Sequence, residues 1–192
     1  MKKHILSVHV QNRPGVLANI ASMFAARGFN IDSLVVGRTE ESAFSRMVIV
    51  CTADETTMEQ VRKQLGKIVP VVKVQDLSEQ ECIERDLLLI RVYCPPEKRG
   101  ELRQITEIFR GSVVDVASRS VVIQLTGPEK KIEAFVELCR PYGIKNLSRT
   151  GVIAVPRASQ PGNNAATQTQ RRARPRSATA TTSDTAAVLP PS

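Results

Sequence analysis

The segment QNRPGVLANI, residues 11–20, joins two hydrophobic patterns of different period. Residues 5–10, which precede it, form a run rich in β-branched side chains, as expected of a strand. The large apolar residues after it recur at helical spacing as far as Gly28, which is predicted to end the helix. Pro14 restricts φ at the entry to this helix, and Gly15 has no Cβ that would hinder close approach. The segment therefore predicts a tight turn from a strand into a helix.

This alternation of strand and helix patterns continues to residue 156 and occurs twice. Each half predicts the order β-α-β-β-α-β, in which two helices cover one face of a four-stranded antiparallel sheet. The sequence thus predicts an α+β fold with two tandem ferredoxin-like βαββαβ domains, residues 1–78 and 84–156, joined by a charged linker at 79–83. Because units of this size are marginally stable alone and each sheet keeps one uncovered face, we expect association between the halves or between chains.

Local chemistry predicts two further helix boundaries. Asp54 is expected to cap the N-terminus of the second helix, whose apolar stripe begins at Met58. Gly111 is expected to end the third helix. The predicted strands are 5–10, 30–37, 44–51, 71–77, 87–94, 112–117, 121–126 and 144–155.

Residues 157–192 differ in composition from the rest of the chain, being rich in Ala, Thr, Ser, Pro, Gln and Asn. Such a segment buries too little apolar surface to offset its ordering entropy, so it is predicted to be a disordered tail. It carries four of the eight net positive charges, including the cluster at 171–176. Two interpretations stay open: the tail is solvated and only aids solubility, or it contacts nucleic acid or a membrane.

The chain lacks the motifs of the common catalytic and metal-binding sites. The four cysteines form no C-x-x-C pair, and they are expected to be reduced thiols, three of them buried. His4 and His9 are expected at an edge or on the surface, and the acidic residues from Glu79 to Asp86 as a charged linker. No apolar run reaches the length of a membrane span, and the first residues do not resemble a signal peptide. A cytoplasmic, non-enzymatic protein without a metal is therefore expected.

The turn at residues 12–17 is the candidate binding site. The backbone amides of Gly15, Val16 and Leu17 are predicted to be unpaired donors at the positive end of the helix dipole, which favours a carboxylate or phosphate. Asn12, before the turn, and Asn30, at the start of the next predicted strand, are expected to bring side-chain amides beside the same spot. The alternative is purely structural: Asn12 caps the helix, and Pro-Gly is only a tight turn.

The motifs N-R-P-G-V-L at 12–17 and R-G-F-N-I at 27–31 resemble those of the ACT domain, a small module that binds amino acids. The similarity extends over residues 1–157. Four further segments, Arg46-Met47 and residues 105–111, 113–116 and 149–152, resemble the regulatory small subunit of acetolactate synthase, also called acetohydroxyacid synthase.

The resemblance implies a non-catalytic regulatory subunit that activates a catalytic large subunit and confers feedback inhibition by valine, leucine or isoleucine. It implies a homodimer formed through the ACT domains, with valine as the typical effector bound between two chains. The effector carboxylate would bind the amides of Gly15, Val16 and Leu17 near Asn12, while Asn30 and Ile31 of the neighbouring chain close the site. Thiamine diphosphate, magnesium and FAD are expected only on the catalytic partner, and no cofactor on this chain.

Two other functions remain as alternatives. A free-standing double-ACT amino-acid sensor with another target would share residues 1–78, so the second half must distinguish it, and that half favours the synthase subunit. A nucleic-acid-binding protein would use the arginine-rich tail, but the chain has neither a helix-turn-helix motif nor an aromatic stacking platform. We therefore expect neither nucleic acid nor a membrane as a partner.

Overall fold

The structure, a computed structural model, describes residues 1–158, so the predicted tail lies outside the described residues from position 159 onward. In the first half, its elements are β1 (Lys2–Gln11), α1 (Val16–Ala25), β2 (Ser33–Arg38), β3 (Phe44–Ala53), α2 (Glu55–Leu65) and β4 (Val71–Asp76). In the second half they are β5 (Cys82–Tyr93), α3 (Arg99–Ile108), β6 (Ser112–Ala117), β7 (Ser120–Gly127), α4 (Glu129–Cys139), β8 (Ile144–Arg149) and β9 (Ile153–Pro156).

The strands form two antiparallel sheets with the same topology. The first has the order β2-β3-β1-β4 and the second the order β6-β7-β5-β8, while β9 pairs with the beginning of β5. In both sheets the first strand of the repeat is central and the second lies at an edge. This arrangement confirms the predicted α+β fold with two ferredoxin-like βαββαβ units.

The helices pack on the sheets through the stripes that their sequences predict. In α1 the buried residues are Val16, Ile20, Met23 and Phe24, which share one face of the helix. Burial of each such side chain contributes roughly 1.5–3 kcal/mol to folding. Asp54 caps α2 as predicted, since its carboxylate accepts a hydrogen bond from the Thr57 amide at 2.7 Å.

The ends of α1 and α3 are formed differently, although glycine was expected at both. Gly28 has φ +67°, and the next amide, that of Phe29, donates to the carbonyl of Phe24, which confirms the prediction for α1. α3 also ends before Gly111, as predicted, and the Gly111 amide donates to the Thr106 carbonyl, but the positive φ, +52°, belongs to Arg110. Gly111 is needed for close packing instead, because a Cβ there would lie 3.1 Å from the Gln124 carbonyl oxygen.

The predicted linker between the halves is partly strand. Cys82 and Ile83 already belong to β5, where they pair with β9. Asp86 was expected in a charged linker, but it is buried within β5. The predicted final strand is also interrupted, because the turn around Gly151 separates β8 from β9.

His4 was expected at an edge or on the surface, and this is wrong. Since β1 is a central strand, its residues are covered by neighbours on both sides, and His4 is buried with Nδ1 3.6 Å from the Asp76 carboxylate. His9 lies on the opposite face of β1, partly buried, with its ring stacked on Phe44 at a centroid distance of 4.9 Å. Sequence spacing gave the opposite faces correctly but not the position of the strand in the sheet.

The face of the first sheet away from its helices is covered by the second half of the chain. Val152 lies just before β9 and Ala154 lies within it. Both join a buried apolar cluster with Ile5 of β1 and with Val48 and Val50 of β3. The expectation that the halves associate is thereby confirmed. The cysteines follow prediction as well: all four are free, and Cys51, Cys94 and Cys139 are buried.

No helix within residues 1–158 combines the length and the apolar character needed to cross a bilayer.

Candidate effector-binding site

Gly15 forms the N-cap of α1 and adopts φ +84°, a left-handed conformation that glycine tolerates without strain. A Cβ at this position would meet no atom within 4 Å, so the turn faces open space. Asn12 does not cap the helix; its Nδ2 donates to the carbonyl of Ser42 at 3.1 Å and thereby holds the β2–β3 loop. The purely structural interpretation of Asn12 as a helix cap is therefore wrong.

Two of the three amides predicted to be free at this turn have no acceptor among residues 1–158, namely those of Gly15 and Leu17. The Val16 amide makes a long hydrogen bond, 3.5 Å, to the carbonyl of Arg13. Because the Val16 side chain is buried in the core, this residue presents only its backbone to the turn. The first turn of α1 contains no acidic residue, so no fixed negative charge opposes an anion there.

Asn30 and Ile31 lie in the loop before β2 rather than on the strand, because pairing with β3 begins only at Ser33. The Asn30 side chain is exposed and donates to the Asp32 carboxylate at 2.9 Å, which in turn accepts from Thr52 at 2.8 Å. Ile31 is half-buried against the hydrophobic core between the first sheet and the helices α1 and α2. The loop is thus anchored at its C-terminal side while Asn30 itself remains accessible.

Within one chain, the structure does not bring Asn12 and Asn30 to the same spot. Gly15 follows the end of β1, where Gln11 pairs with Phe44 of β3. The backbone amide of Asp32, next to Asn30, donates to the carbonyl of Val50. Phe44 and Val50 are about 20 Å apart along β3. The reason is topological. Helix α1 runs antiparallel to β1 for about 15 Å, so the two ends of the helix lie near opposite ends of the strands. The expectation of a shared position within one chain is wrong.

The edge of the first sheet beside this turn is apolar and exposed. Leu17 on α1 is 43% exposed, and Val36 on β2 is 44% exposed. β2 is an edge strand, with one side unpaired within the described chain. Exposed edge strands with apolar side chains are typical sites of pairing with another chain.

A polar cluster between the two halves was not predicted. Asp86 accepts hydrogen bonds from Arg149 and from the Gly151 amide, and Ser33 accepts one from the Val152 amide. These residues line a cavity of about 310 Å³. One indication in the sequence is the acidic residue at the start of the otherwise apolar strand segment DLLLI, since a carboxylate there must find a partner.

Comparison with known proteins places this fold and turn in a defined class. Residues 6–73 match the family model described as an AHAS small subunit-like ACT domain, and residues 85–158 match the model described as the small subunit of acetolactate synthase. The first sheet, with its glycine turn, is therefore an ACT domain, and the second is the domain that follows it in this family.

Individual relatives agree over nearly the whole described chain. A protein of Archaeoglobus fulgidus named "Probable acetolactate synthase small subunit" is 51% identical over 82% of this chain and 99% of its own length. The acetolactate synthase small subunit of Aquifex aeolicus is 48% identical over 82% of each. The crystal structure of the small subunit from Thermotoga maritima has a TM-score of 0.76 at 41% identity, covering 82% of this chain and 98% of that one. The chain belongs to the family of acetolactate synthase small subunits.

Proposed function

We propose that this chain binds the catalytic large subunit of acetolactate synthase, activates it and makes it sensitive to feedback inhibition by valine, or by leucine or isoleucine. The family membership and the names of the relatives support the role of a regulatory subunit. The chain itself takes no part in catalysis, and thiamine diphosphate, magnesium and FAD belong to the large subunit.

The free amides at the start of α1 support the choice of an amino-acid effector. A carboxylate would accept hydrogen bonds from Gly15 and Leu17, and the helix N-terminus contributes roughly 0.3–2 kcal/mol. Burial of a branched aliphatic side chain adds roughly 1.5–3 kcal/mol, and the exposed side chains of Leu17 and Val36 offer apolar surface for it. Charge-assisted hydrogen bonds to the carboxylate add to these two contributions. With them, a binding free energy between about −4 and −8 kcal/mol is expected, which corresponds to affinities between about 1 mM and 1 μM.

The separation of Gly15 from Asn30 is the observation that carries the proposal. One chain alone presents half of the site at each end of α1, so a complete site requires Gly15 of one chain and Asn30 with Ile31 of another. A two-fold axis beside β2 would set two α1 helices antiparallel and produce two such sites. Regulation then follows from linkage: an effector that binds one arrangement of the dimer more tightly shifts the complex away from the active arrangement.

The proposal is tested by Gly15→Asp in the full chain, reconstituted with the purified large subunit. Gly143→Asp is the matched control, because Gly143 also has positive φ but lies in the second half. We expect Gly15→Asp to abolish inhibition of acetolactate formation by valine while activation is retained, since the new carboxylate occupies the position of the effector carboxylate. The control should keep both properties.

Retained valine sensitivity in Gly15→Asp would refute the site. A chain that binds valine but neither binds nor activates the large subunit in a pull-down and activity assay would instead be a free-standing sensor with another target.

A further inference from the structure

We propose that Ser33, Gly151 and Asp86 form a positioning network that couples the effector loop, residues 29–32, to the second half of the chain. This inference rests on the effector site proposed above and names the route by which its occupancy is transmitted. The network was not part of the predicted site, and it connects residues that lie far apart in the sequence.

The first contact joins the two halves directly. Ser33 is the first residue of β2 and comes three positions after Asn30. Its Oγ accepts a hydrogen bond from the Val152 amide at 3.2 Å, between residues 119 positions apart. Asp32, which holds the Asn30 amide, lines the same cavity as Ser33 and Gly151. A displacement of the effector loop therefore acts at once on the turn at 150–152.

The second contact is steric and depends on glycine. Gly151 has φ +90°, and a Cβ there would lie 2.4 Å from Ser33 Oγ and 3.1 Å from Val35 Cγ2. Any other residue type at this position would require the Ser33 side chain, β2 or the turn to move. The absence of a Cβ at Gly151 thus lets the turn approach Ser33 closely.

The third contact fixes the turn to the second sheet. The Asp86 carboxylate is fully buried and accepts from Arg149 Nε at 2.7 Å and Nη2 at 2.6 Å. It also accepts from the Gly151 amide at 3.2 Å and the Thr150 hydroxyl at 3.3 Å. One carboxylate in β5 therefore holds Arg149 at the end of β8 as well as Thr150 and Gly151 of the turn. Charge-assisted hydrogen bonds of this kind are strong and directional.

The position of the turn explains why it can transmit a displacement. After β8 the chain turns at 150–152 and enters β9, which pairs with the start of β5. Ala154 of β9 and Val152 of the turn pack on the first sheet. A second link between the halves, the ion pair of Lys3 with Glu129, lies beside it, since Glu129 lines the same cavity. Because packed elements shift as units, movement at Ser33 reorients β9 and the start of β5.

The test is hydrogen exchange on the full chain with and without L-valine, in the wild type and in Ser33→Ala. Ser112→Ala is the matched control: Ser112 begins β6, the equivalent strand of the second half, and its side chain makes no hydrogen bond within the described residues. We expect valine to slow exchange about threefold or more both at residues 15–18 and 29–32 and at residues 149–156. In Ser33→Ala, the effect of valine at the first two segments should persist while that at 149–156 disappears; the control should resemble the wild type.

The outcomes separate the network from the site on which it rests. If valine protects 15–18 and 29–32 but never 149–156, or if protection of 149–156 survives in Ser33→Ala, the network is refuted and the effector site stands. If valine protects none of these segments in the wild type, the effector site is refuted, and the coupling proposed for the network is refuted with it.

A split between binding and inhibition provides the second readout. With Ser33→Ala, calorimetry on the free chain should give a valine Kd within about threefold of wild type, whereas maximal inhibition of the reconstituted enzyme should fall by more than half. A merely structural role of Ser33 would instead change Kd and inhibition together, and this result would overturn the proposal.

Discussion

Gly15 and Asn30 lie at opposite ends of α1 and therefore cannot contact the same small ligand within one chain. In the two-chain site proposed here, Gly15 of each chain meets Asn30 of the other. This geometry makes a prediction that no single-chain site shares. Substitutions of Gly15 in one chain and Asn30 in the other fall on the same site and leave the second site of the dimer intact.

We predict complementation between Gly15→Asp and Asn30→Ala. Each variant alone should bind no valine, because both of its sites carry the substitution. In a mixed dimer, one site combines both substitutions and the other has neither. A statistical mixture of the chains, exchanged by refolding together, should therefore regain about a quarter of a valine site per chain in calorimetry. Absence of any regained binding would argue against a site shared between chains.

We predict that Val36→Lys weakens the proposed dimer, because a charge at the exposed edge strand β2 opposes pairing with a second copy. Val72→Lys is the matched control, since Val72 is 55% exposed on β4, the opposite edge of the same sheet. Light scattering after size exclusion should show a concentration-dependent fall towards the monomer mass only for Val36→Lys. An unchanged mass in both variants would place the dimer contact elsewhere.

We predict that Arg149→Ala lowers the free energy of unfolding by about 3 kcal/mol, because it leaves the Asp86 carboxylate buried without its ion-pair partner. This loss of unfolding free energy is at the low end of the range for buried ion pairs, because the Arg149 side chain is 31% exposed. Arg140→Ala removes a pair that is exposed on both sides, so it should cost less than about 1 kcal/mol. Urea unfolding of both variants measures the difference, and equal losses would contradict the assigned role of Asp86.

The cap of α2 predicts a pH dependence of stability. The hydrogen bond from the Thr57 amide lowers the pKa of Asp54 below its ordinary value of 3.8. The cap therefore contributes fully above that ordinary pKa, and its contribution is lost as the pH falls through the lower folded-state pKa. Between pH 5 and pH 2.5 the melting temperature of the wild type should fall further than that of Asp54→Asn, which keeps a capping oxygen but does not titrate. Parallel curves would refute this contribution.

The cysteines should differ in reactivity. Burial raises the pKa of the Cys51 and Cys139 thiols to about 11, so at pH 8 only about one in a thousand is a thiolate, and both lie in the core. Cys82 is only partly buried. In the native protein a disulfide reagent should modify Cys82 first, and Cys82→Ser should remove that fast phase. Rapid labelling of Cys51 or Cys139 in folded protein would show that the core opens more readily than its packing indicates.

Periodicity and turn chemistry predicted most of the fold correctly. The stripe of α1, the cap at Asp54 and the helix end at Gly28 depend on residues close in sequence, so local patterns suffice. The errors lie where contacts between residues distant in the sequence decide the local structure. Asn30 has strand-like neighbours but no partner on β3, and the positive φ after α3 falls on Arg110, one residue before the predicted glycine.

For the candidate site, local patterns predicted the exposed turn at Gly15 and the two asparagines, whereas only the resemblance to the ACT domain assigned Asn30 to a neighbouring chain. The direction of α1 separates the two asparagines in one chain, and that direction follows from the sheet order rather than from any motif. Nor did the sequence reveal Asp86 as a buried acceptor, since its partners Arg149, Thr150 and Gly151 come more than sixty residues later.

The two βαββαβ units, the starts of their helices and the glycine turn with its exposed backbone amides are all predictable from local sequence patterns. These properties follow from short-range sterics and from the hydrophobic period, which act between neighbouring residues. The placement of Gly15 and Asn30 at opposite ends of α1, and the hydrogen bond between Val152 and Ser33 beside Gly151, become visible only in the folded chain. Those relationships depend on which strands pair and which faces pack, and the free energy of such contacts comes from residues distant in the chain.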